Sequence, residues 1–390
     1  MKRFKEELLG DVLAFYDHQR VPLSSLERDT RQGEYRYYGA QGVIDHLDSY
    51  IFDGQFILIA EDGANLVTRN EPIAFLVDGQ FWVNNHAHVV RGKPGVADDF
   101  YITALLNNLN IAGFITGVAQ PKLSQQNLKQ IKVSLPDYPT QREIADVLSG
   151  YDELIENNRR RMELLEAAAR LLYREWFVRL RFPGHEHARL THGLPEGWER
   201  KPLSALCESI DYGYTASAEQ EEVGPKFLRI TDIVPDFIDW PAVPHCPIAD
   251  ERLEKFRLRE GDIVIARTGA TVGYAKRMHK RHPDAVFASY LVRLRLKPEA
   301  DNLMVGVFVE SEDFKSYVQS RVGGAAQPNA NARVLAGAEI LVPPPRIQRD
   351  FREFVEPLID QREVLQWQNQ KLRAARDLLL PRLMSGEIAV

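Results

Sequence analysis

The run from Pro139 to Phe177, PTQREIADVLSGYDELIENNRRRMELLEAAARLLYREWF, constrains this chain more than any other. Ile144, Leu148, Tyr151, Ile155, Asn158, Met162, Leu165, Ala169, Leu172 and Trp176 recur in alternating steps of four and three. That period draws one continuous stripe along a helix and turns it towards a partner helix, as a coiled coil requires. Thr140 and Glu143 have the spacing of a capping box, which places the helix start just after Pro139. At about 1.5 Å per residue the helix is on the order of 55 Å long, more than an ordinary domain encloses. It reads as a strut that needs a mate.

The mate lies at the other end of the chain. A shift of 207 residues carries Gln120-Pro121 onto Gln327-Pro328, Leu128 onto Leu335, Pro136 onto Pro343 and Gln141-Arg142 onto Gln348-Arg349. The same shift carries Leu165, Ala167, Ala168, Leu171 and Leu172 onto Leu372, Ala374, Ala375, Leu378 and Leu379. An ungapped match of this length exceeds shared helix composition. The chain is a tandem duplication of a variable region followed by a long helix.

With 390 residues there is room for two or three domains. No apolar run approaches membrane-spanning length, and acids interrupt the N-terminal stretch that a signal peptide would need. Cys207 and Cys246 are the only cysteines, too few for a disulfide framework or a zinc site, so a reducing cytoplasmic setting is expected. The net charge of −6 gives no bulk support to nucleic-acid binding, which must then rest on local clusters or on partner subunits. The sharpest cluster is Lys276-Arg277-Met278-His279-Lys280-Arg281. Taken alone, such a run is more often a solvated loop than a site.

Residues 1–138 form the first variable region, with β-type runs at 56–60, 73–77 and 81–83, glycine-rich turns between them, and a short helix over 100–109. The first strut spans 139–180, and the proline–glycine clusters of 181–194 read as a linker. The second variable region, 195–345, repeats the plan: Ile57-Leu58-Ile59-Ala60 aligns with Ile263-Val264-Ile265-Ala266 and Gly63 with Gly269, at an offset of 206. The second strut and tail fill 346–390, with seam residues Phe351, Val355, Leu358, Leu365, Leu372 and Leu379, and Pro381 is expected to end or kink it.

Catalytic signatures are missing. No GxxxxGK[ST] phosphate loop and no Asn/Asp-Pro-Pro-aromatic tetrapeptide occurs, so neither a motor nor the usual adenine methyltransferase site is expected. Glu312-Asp313 with Lys315 loosely suggests nuclease carboxylates, but chance supplies such triplets easily. His86 and His88 are spaced like two metal ligands on a strand, yet no third ligand is evident. A fold-supporting or DNA-facing role is the better reading, and no metal site is expected.

Polar side chains beside loop glycines are more suggestive. Asn and Gln can pair with adenine edges and Arg with guanine, whereas the bland reading of each is ordinary turn chemistry. Their recurrence at matching places in both halves favours the functional reading. The candidate DNA contacts are Tyr38, Gln41, Asn65, Asn84, Asn85, His86, Gln120 and Lys122 in the first region. In the second they are Arg267, Thr268, Thr271, Lys276, Arg277, Lys280, Tyr290, Gln327, Asn329, Asn331 and Arg333.

The pattern resembles the specificity subunit of type I restriction–modification systems, over essentially the whole chain. Its most specific pieces are Leu172-Tyr173-Arg174-Glu175-Trp176-Phe177, Arg181-Phe182-Pro183-Gly184-His185-Glu186, Leu194-Pro195-Glu196-Gly197-Trp198-Glu199 and the ending from Leu379 to Ile388. The resemblance implies an α+β chain with two β-rich α/β target recognition domains. Two long helices separate them, form an antiparallel coiled coil and carry an internal pseudo-two-fold. It also implies a non-catalytic subunit that binds double-stranded DNA and two methyltransferase (modification) subunits, joined by motor–nuclease (restriction) subunits in the full complex. The chain itself would bind no cofactor; S-adenosylmethionine would sit on the partner methyltransferases. One departure stands out: the second domain opens with the Leu-Pro-x-Gly-Trp motif, whereas the first begins directly at Met1-Lys2-Arg3-Phe4-Lys5.

The two seams predict a register. With Asn158 opposite Asn369, Ile144 meets Leu383, Leu148 meets Leu379, Ile155 meets Leu372, Met162 meets Leu365 and Trp176 meets Phe351, while Tyr151 lies over Arg376 and Leu165 near Arg362. A central polar pair can fix register at some cost in stability. The competing readings are a non-DNA adaptor, in which two β-rich domains on a coiled coil scaffold other proteins, and a cryptic nuclease.

Overall fold

The structure, a computed structural model, describes residues 4–117, 119–322, 328–388 and 390. The chain divides into two compact units, residues 1–157 with 368–390, and residues 158–367. Each unit therefore holds one variable domain and part of each long helix. The helices run Tyr138–Tyr173 and Pro345–Met384.

In the first unit, β1 (Lys5–Leu8) pairs antiparallel with β10 (Lys132–Leu135). A four-stranded antiparallel sheet has the order β2 (Leu13–Phe15), β9 (Ala87–Gly92), β6 (Phe56–Ala60), β7 (Ala74–Val77). A second sheet of β4 (Gly42–Leu47), β3 (Gln32–Gly39), β8 (Gln80–Val83) and β5 (Phe52–Asp53) is mixed, β3 and β8 being parallel. The expected helix near 100–109 is present as Asp99–Asn108, capped by the Asp98 carboxylate on the Tyr101 N–H.

In the second unit a small hairpin of β11 (Leu190–Thr191) and β12 (Leu194–Pro195) precedes β13 (Glu199–Pro202), which pairs with β20 (Glu339–Val342). The main sheet has the order β14 (Cys207–Tyr212), β19 (Leu291–Leu296), β16 (Ile263–Ala266), β17 (Ala275–Arg277). Parallel β15 (Lys226–Leu228) and β18 (Ala285–Phe287) complete the domain. The main sheets of the two units thus share one strand order. Pairings repeat too: Ile59 lies opposite His88 as Ile265 lies opposite Val292. The β1–β10 pair matches β13–β20, so the first domain has its opening strand without the Leu-Pro-x-Gly-Trp motif. The stretch read as a linker is folded: Phe182 is buried against Trp198, ring centroids 4.9 Å apart.

The helix ends differ from expectation in three ways. Asp137, not Thr140, caps the first helix: its Oδ1 accepts from the Thr140 N–H at 3.1 Å, and Thr140 is buried one turn inside. The helix ends in a π-helical turn, Arg174–Val178, where Trp176 and Phe177 are both buried. Pro381 does not stop the second helix, which continues to Met384 because Leu383 beyond it is held in the first unit's core. One conserved geometry links both starts. Gln141 Nε2 donates to the Pro136 carbonyl at 3.0 Å, and Gln348 Nε2 to the Pro343 carbonyl at 2.8 Å.

Within each unit the helix segments run antiparallel. In the first, Ile144 and Leu148 share a core with Leu383, Leu379 packs against it, and Asn369 Nδ2 donates to the Ile155 carbonyl at 3.0 Å. Arg376 pairs with Asp152, next to the Tyr151 expected beneath it. In the second, the ring of Phe351 lies 5.6 Å from Trp176 and 4.7 Å from Phe177, and Arg362 lies 3.5 Å from Glu166. Val355 shares this core, Leu172 and Leu358 pack on it, and Met162 and Leu365 are buried.

These placements make a stability prediction. Leu383 is 2% exposed and Leu378, on the same helix, is 66% exposed. Leu383→Ala should cost about 2–5 kcal/mol by leaving a cavity in the first unit, and Leu378→Ala no more than about 0.5 kcal/mol. Urea unfolding of the full chain followed by fluorescence measures both.

Candidate nucleic-acid interface

One end of each domain is built on the same backbone frame. In the first, β6 runs into Glu61, whose N–H donates to the His86 carbonyl at 2.9 Å and whose carbonyl accepts from Leu123 N–H at 2.8 Å. Gly63 N–H donates to the Pro121 carbonyl at 3.1 Å, and Asp62 bridges Lys122. In the second, β16 runs into Arg267, whose N–H donates to the Tyr290 carbonyl at 3.1 Å and whose carbonyl accepts from Ala330 N–H at 2.8 Å. Gly269 N–H donates to the Pro328 carbonyl at 3.0 Å, and Thr268 bridges Asn329. Both turns need glycine because φ is +110° at Gly63 and +80° at Gly269. Three loops are thereby tied to one strand end in each half.

The side chains on this frame differ. In the first domain they form a closed ionic network. His88, 1% exposed, sits between Asp17 Oδ2 and the Leu123 carbonyl, each at 2.7 Å from a ring nitrogen. Both ring nitrogens are engaged, so neither serves a metal. Arg20 reaches Glu61 at 2.7 Å and the Ala87 carbonyl at 2.7 Å; Lys122 reaches Glu61 at 3.2 Å, and Gln125 Nε2 donates to Asp17 at 2.7 Å. Burial alone would raise the Asp17 carboxyl, but the His88 hydrogen bond and charge, the Val89 amide and Arg20 hold it below its ordinary range. Burial likewise opposes Glu61, and Arg20, His88 and Lys122 bring it down.

The second domain has an open cluster instead. Arg267 lies over the Tyr212 ring at 4.7 Å, and its Nη2 donates to Asn329 Oδ1 at 3.3 Å. The Tyr212 hydroxyl accepts from the Ala332 N–H at 3.0 Å. Arg267 Nε is buried and has no hydrogen-bond partner among the described residues. Such an orphan donor costs about 1–3 kcal/mol, which stacking on Tyr212 helps to offset.

The family model for the type I restriction modification DNA specificity domain matches residues 1–167. The MjaVIII specificity subunit of a type I restriction enzyme from Methanocaldococcus jannaschii is 23% identical, over 98% of this chain and 92% of its own. The MjaIX specificity subunit of the same organism is 24% identical, over 84% and 78%. The crystal structure of a type I restriction–modification S subunit from M. genitalium is 16% identical, covers 98% of this chain and 96% of that one, and gives a TM-score of 0.65. Over residues 1–167 the chain is similar to the type I DNA specificity domain, and over nearly its whole length to a type I specificity subunit. The matched family domain covers the first copy of the repeat, and the second copy carries the same frame.

The expected contact residues fall into three groups. Gln41, Asn85, His86, Gln120 and Lys122 are exposed in the first domain, His86 paired with Asp62 at 2.7 Å. In the second, Tyr290, Asn329, Asn331 and Arg333 are exposed, and Arg267, Thr268 and Thr271 are half-buried. Asn331 also caps the helix Ala332–Ala336 through the Val334 N–H. Gln327 lies outside the described residues.

Several others are taken up by the fold. Tyr38 is buried against Phe75 and Phe81. Asn65 clamps the Glu71 backbone with both amide atoms at 2.9 Å. Asn84 is buried, its Oδ1 accepting from the His86 N–H.

The basic run is a brace rather than a patch. Lys276 donates to the Asp236 carbonyl at 2.7 Å, and burial lowers the pKa of both Lys276 and Arg277. Met278 is core, and His279 and Lys280 both hold Asp360 of the second long helix, at 2.9 and 2.8 Å. These side chains point at the unit's own helix. The Glu312 and Lys315 pair is likewise a local contact one helical turn apart, at 2.7 Å.

Asp17, Arg20, Glu61, Gln125 and Tyr212 were not singled out by sequence. Glu61 and Arg267 do align in the repeat, but Asp17 and Tyr212 stand 195 residues apart, not 206 or 207, and escape an ungapped comparison. Among the described residues no cluster of His, Cys, Asp and Glu could hold a metal, and no helix is long and apolar enough to cross a membrane.

The ionic network predicts an acid-dependent stability. Asp17 and Glu61 have depressed pKa values, so their contribution is full above the ordinary carboxylate values of 3.8 and 4.5 and is lost as pH falls through the lower folded values. The gap in urea midpoint between the parent chain and an Asp17→Asn, Glu61→Gln variant should be open at pH 7 and should close below about pH 4.

Proposed function

We propose that this chain is a type I specificity subunit that reads a bipartite, asymmetric DNA target, one half through each domain. The observation that carries this reading is the repeated frame, which presents different side chains at matched positions: Glu61 and Arg267, His86 and Tyr290, Lys122 and Asn329. Equal frames suit two readers of one duplex; unequal side chains suit two different half-sites. The long helices act as the ruler between half-sites and dock two methyltransferase subunits. Leu154, Leu164, Leu171 and Val178 on one helix and Phe354 and Leu378 on the other are exposed apolar side chains that support docking. Methyl transfer then belongs to the partners, which carry S-adenosylmethionine, and cleavage to motor–nuclease subunits that join the cytoplasmic complex. The net charge of −6 fits a subunit whose partners complete the positive DNA channel.

Methylome sequencing of cells that carry the system tests the reading, since it returns both half-sites and the gap. The gap should be about one DNA turn or slightly less. Inserting one heptad into each long helix adds about 10 Å, so the gap should grow by about three base pairs with both half-sites unchanged. Methylation without a bipartite motif would favour the adaptor reading.

A further inference from the structure

We infer that Arg267 reads a guanine in the half-site of the second domain, and that the matched position of the first domain reads no base because its carboxylate is already spent. The inference rests on the DNA-reading function proposed above and names one base of its target.

The geometry is that of a side chain fixed before it meets a ligand. Both backbone groups of Arg267 are hydrogen-bonded, to the Tyr290 carbonyl and the Ala330 N–H. Its guanidinium lies 4.7 Å from the Tyr212 ring centroid, and that ring is itself pinned through its hydroxyl to the Ala332 N–H at 3.0 Å. Asn329 Oδ1 takes one Nη2 donor at the exposed end. Nε is sealed without a partner among the described residues, so the guanidinium is not held there for its own hydrogen-bonding satisfaction. Among the described residues no other acceptor takes its Nη donors. A planar fork of donors fixed in this way matches the O6 and N7 acceptors of guanine, the commonest specific arginine contact.

The first domain shows the opposite solution on the same frame. There Glu61 replaces Arg267 and is bound by Arg20 and Lys122. Asp17 replaces Tyr212 beside His88, the residue that takes the place of Val292. Every charge at that position is answered internally, so base reading in the first domain falls to its exposed loops.

The test uses the full chain together with the modification subunits of the proposed complex and a randomised duplex DNA library. The parent protein should select a bipartite motif with an invariant guanine in one half. Arg267→Ala should make that one position degenerate, keep all others, and weaken binding to the parent motif by about tenfold to a hundredfold. Arg267→Lys keeps the charge but not the fork, and should lose discrimination at the same position. Tyr212→Leu removes the stacking platform and should relax it in part; melting curves of all three show whether they fold. Retention of the full motif by Arg267→Ala, or a weakening that is uniform over all sequences, would overturn the inference by making Arg267 a bystander or a phosphate contact. A parent protein that selects no motif would overturn the DNA-reading function itself.

Discussion

Each unit depends on burial of side chains from the long helices, and in the first unit these come from the far end of the chain. Leu383 is part of a core otherwise made by residues between Leu9 and Leu148, and Phe351 and Val355 share a core with Trp176, Phe177 and the second domain's sheet. Neither domain closes its core without residues of the long helices. The antiparallel pairing of helix segments inside each unit follows from this, since a seam residue can complete a core only if its helix runs back past it. Pro381 shows the strength of the constraint: a residue that removes a helical hydrogen bond is tolerated because the anchor lies beyond it.

The frame at the strand ends shows how one fold can carry two different sets of side chains. Its contacts are backbone to backbone, so they impose little on side-chain identity beyond the glycines at 63 and 269. The first domain fills the frame with Asp17, Arg20, Glu61, His88 and Lys122, a network whose charges offset one another. The second fills it with Tyr212, Arg267 and Asn329, leaving one cation stacked and partly unsatisfied. A satisfied network stiffens a loop; an unsatisfied guanidinium is poised for a ligand.

Charge clusters in sequence are weak guides to where charge is used. The run from Lys276 to Arg281 is the most basic in the chain, yet its side chains divide between the core, a backbone carbonyl and Asp360. Only Lys276 and Arg277 lie on the edge strand, where neighbours point to opposite faces, and from Met278 onward the chain leaves the strand for a turn, so the six residues do not present one surface. The single Arg267 carries more of the functional argument than the whole run, because its surroundings are built and the run's are incidental.

Side-chain period and repetition alone establish two long helices with matching seams, a duplicated β-rich domain, and the strand–glycine turns at Ala60–Gly63 and Ala266–Gly269. These are short-range properties, set by side-chain period and backbone conformation, and they survive translation along the chain. Which side chains meet depends instead on packing between distant segments. Tyr212 lies under Arg267, and Asp17 beside His88, because strands far apart in sequence are paired in one sheet, at an offset that differs from that of the helices. The burial of Tyr38, Asn65 and Asn84 was hidden for the same reason. Residue type and loop position say what a side chain can do, whereas packing from distant segments fixes whether it still faces the outside.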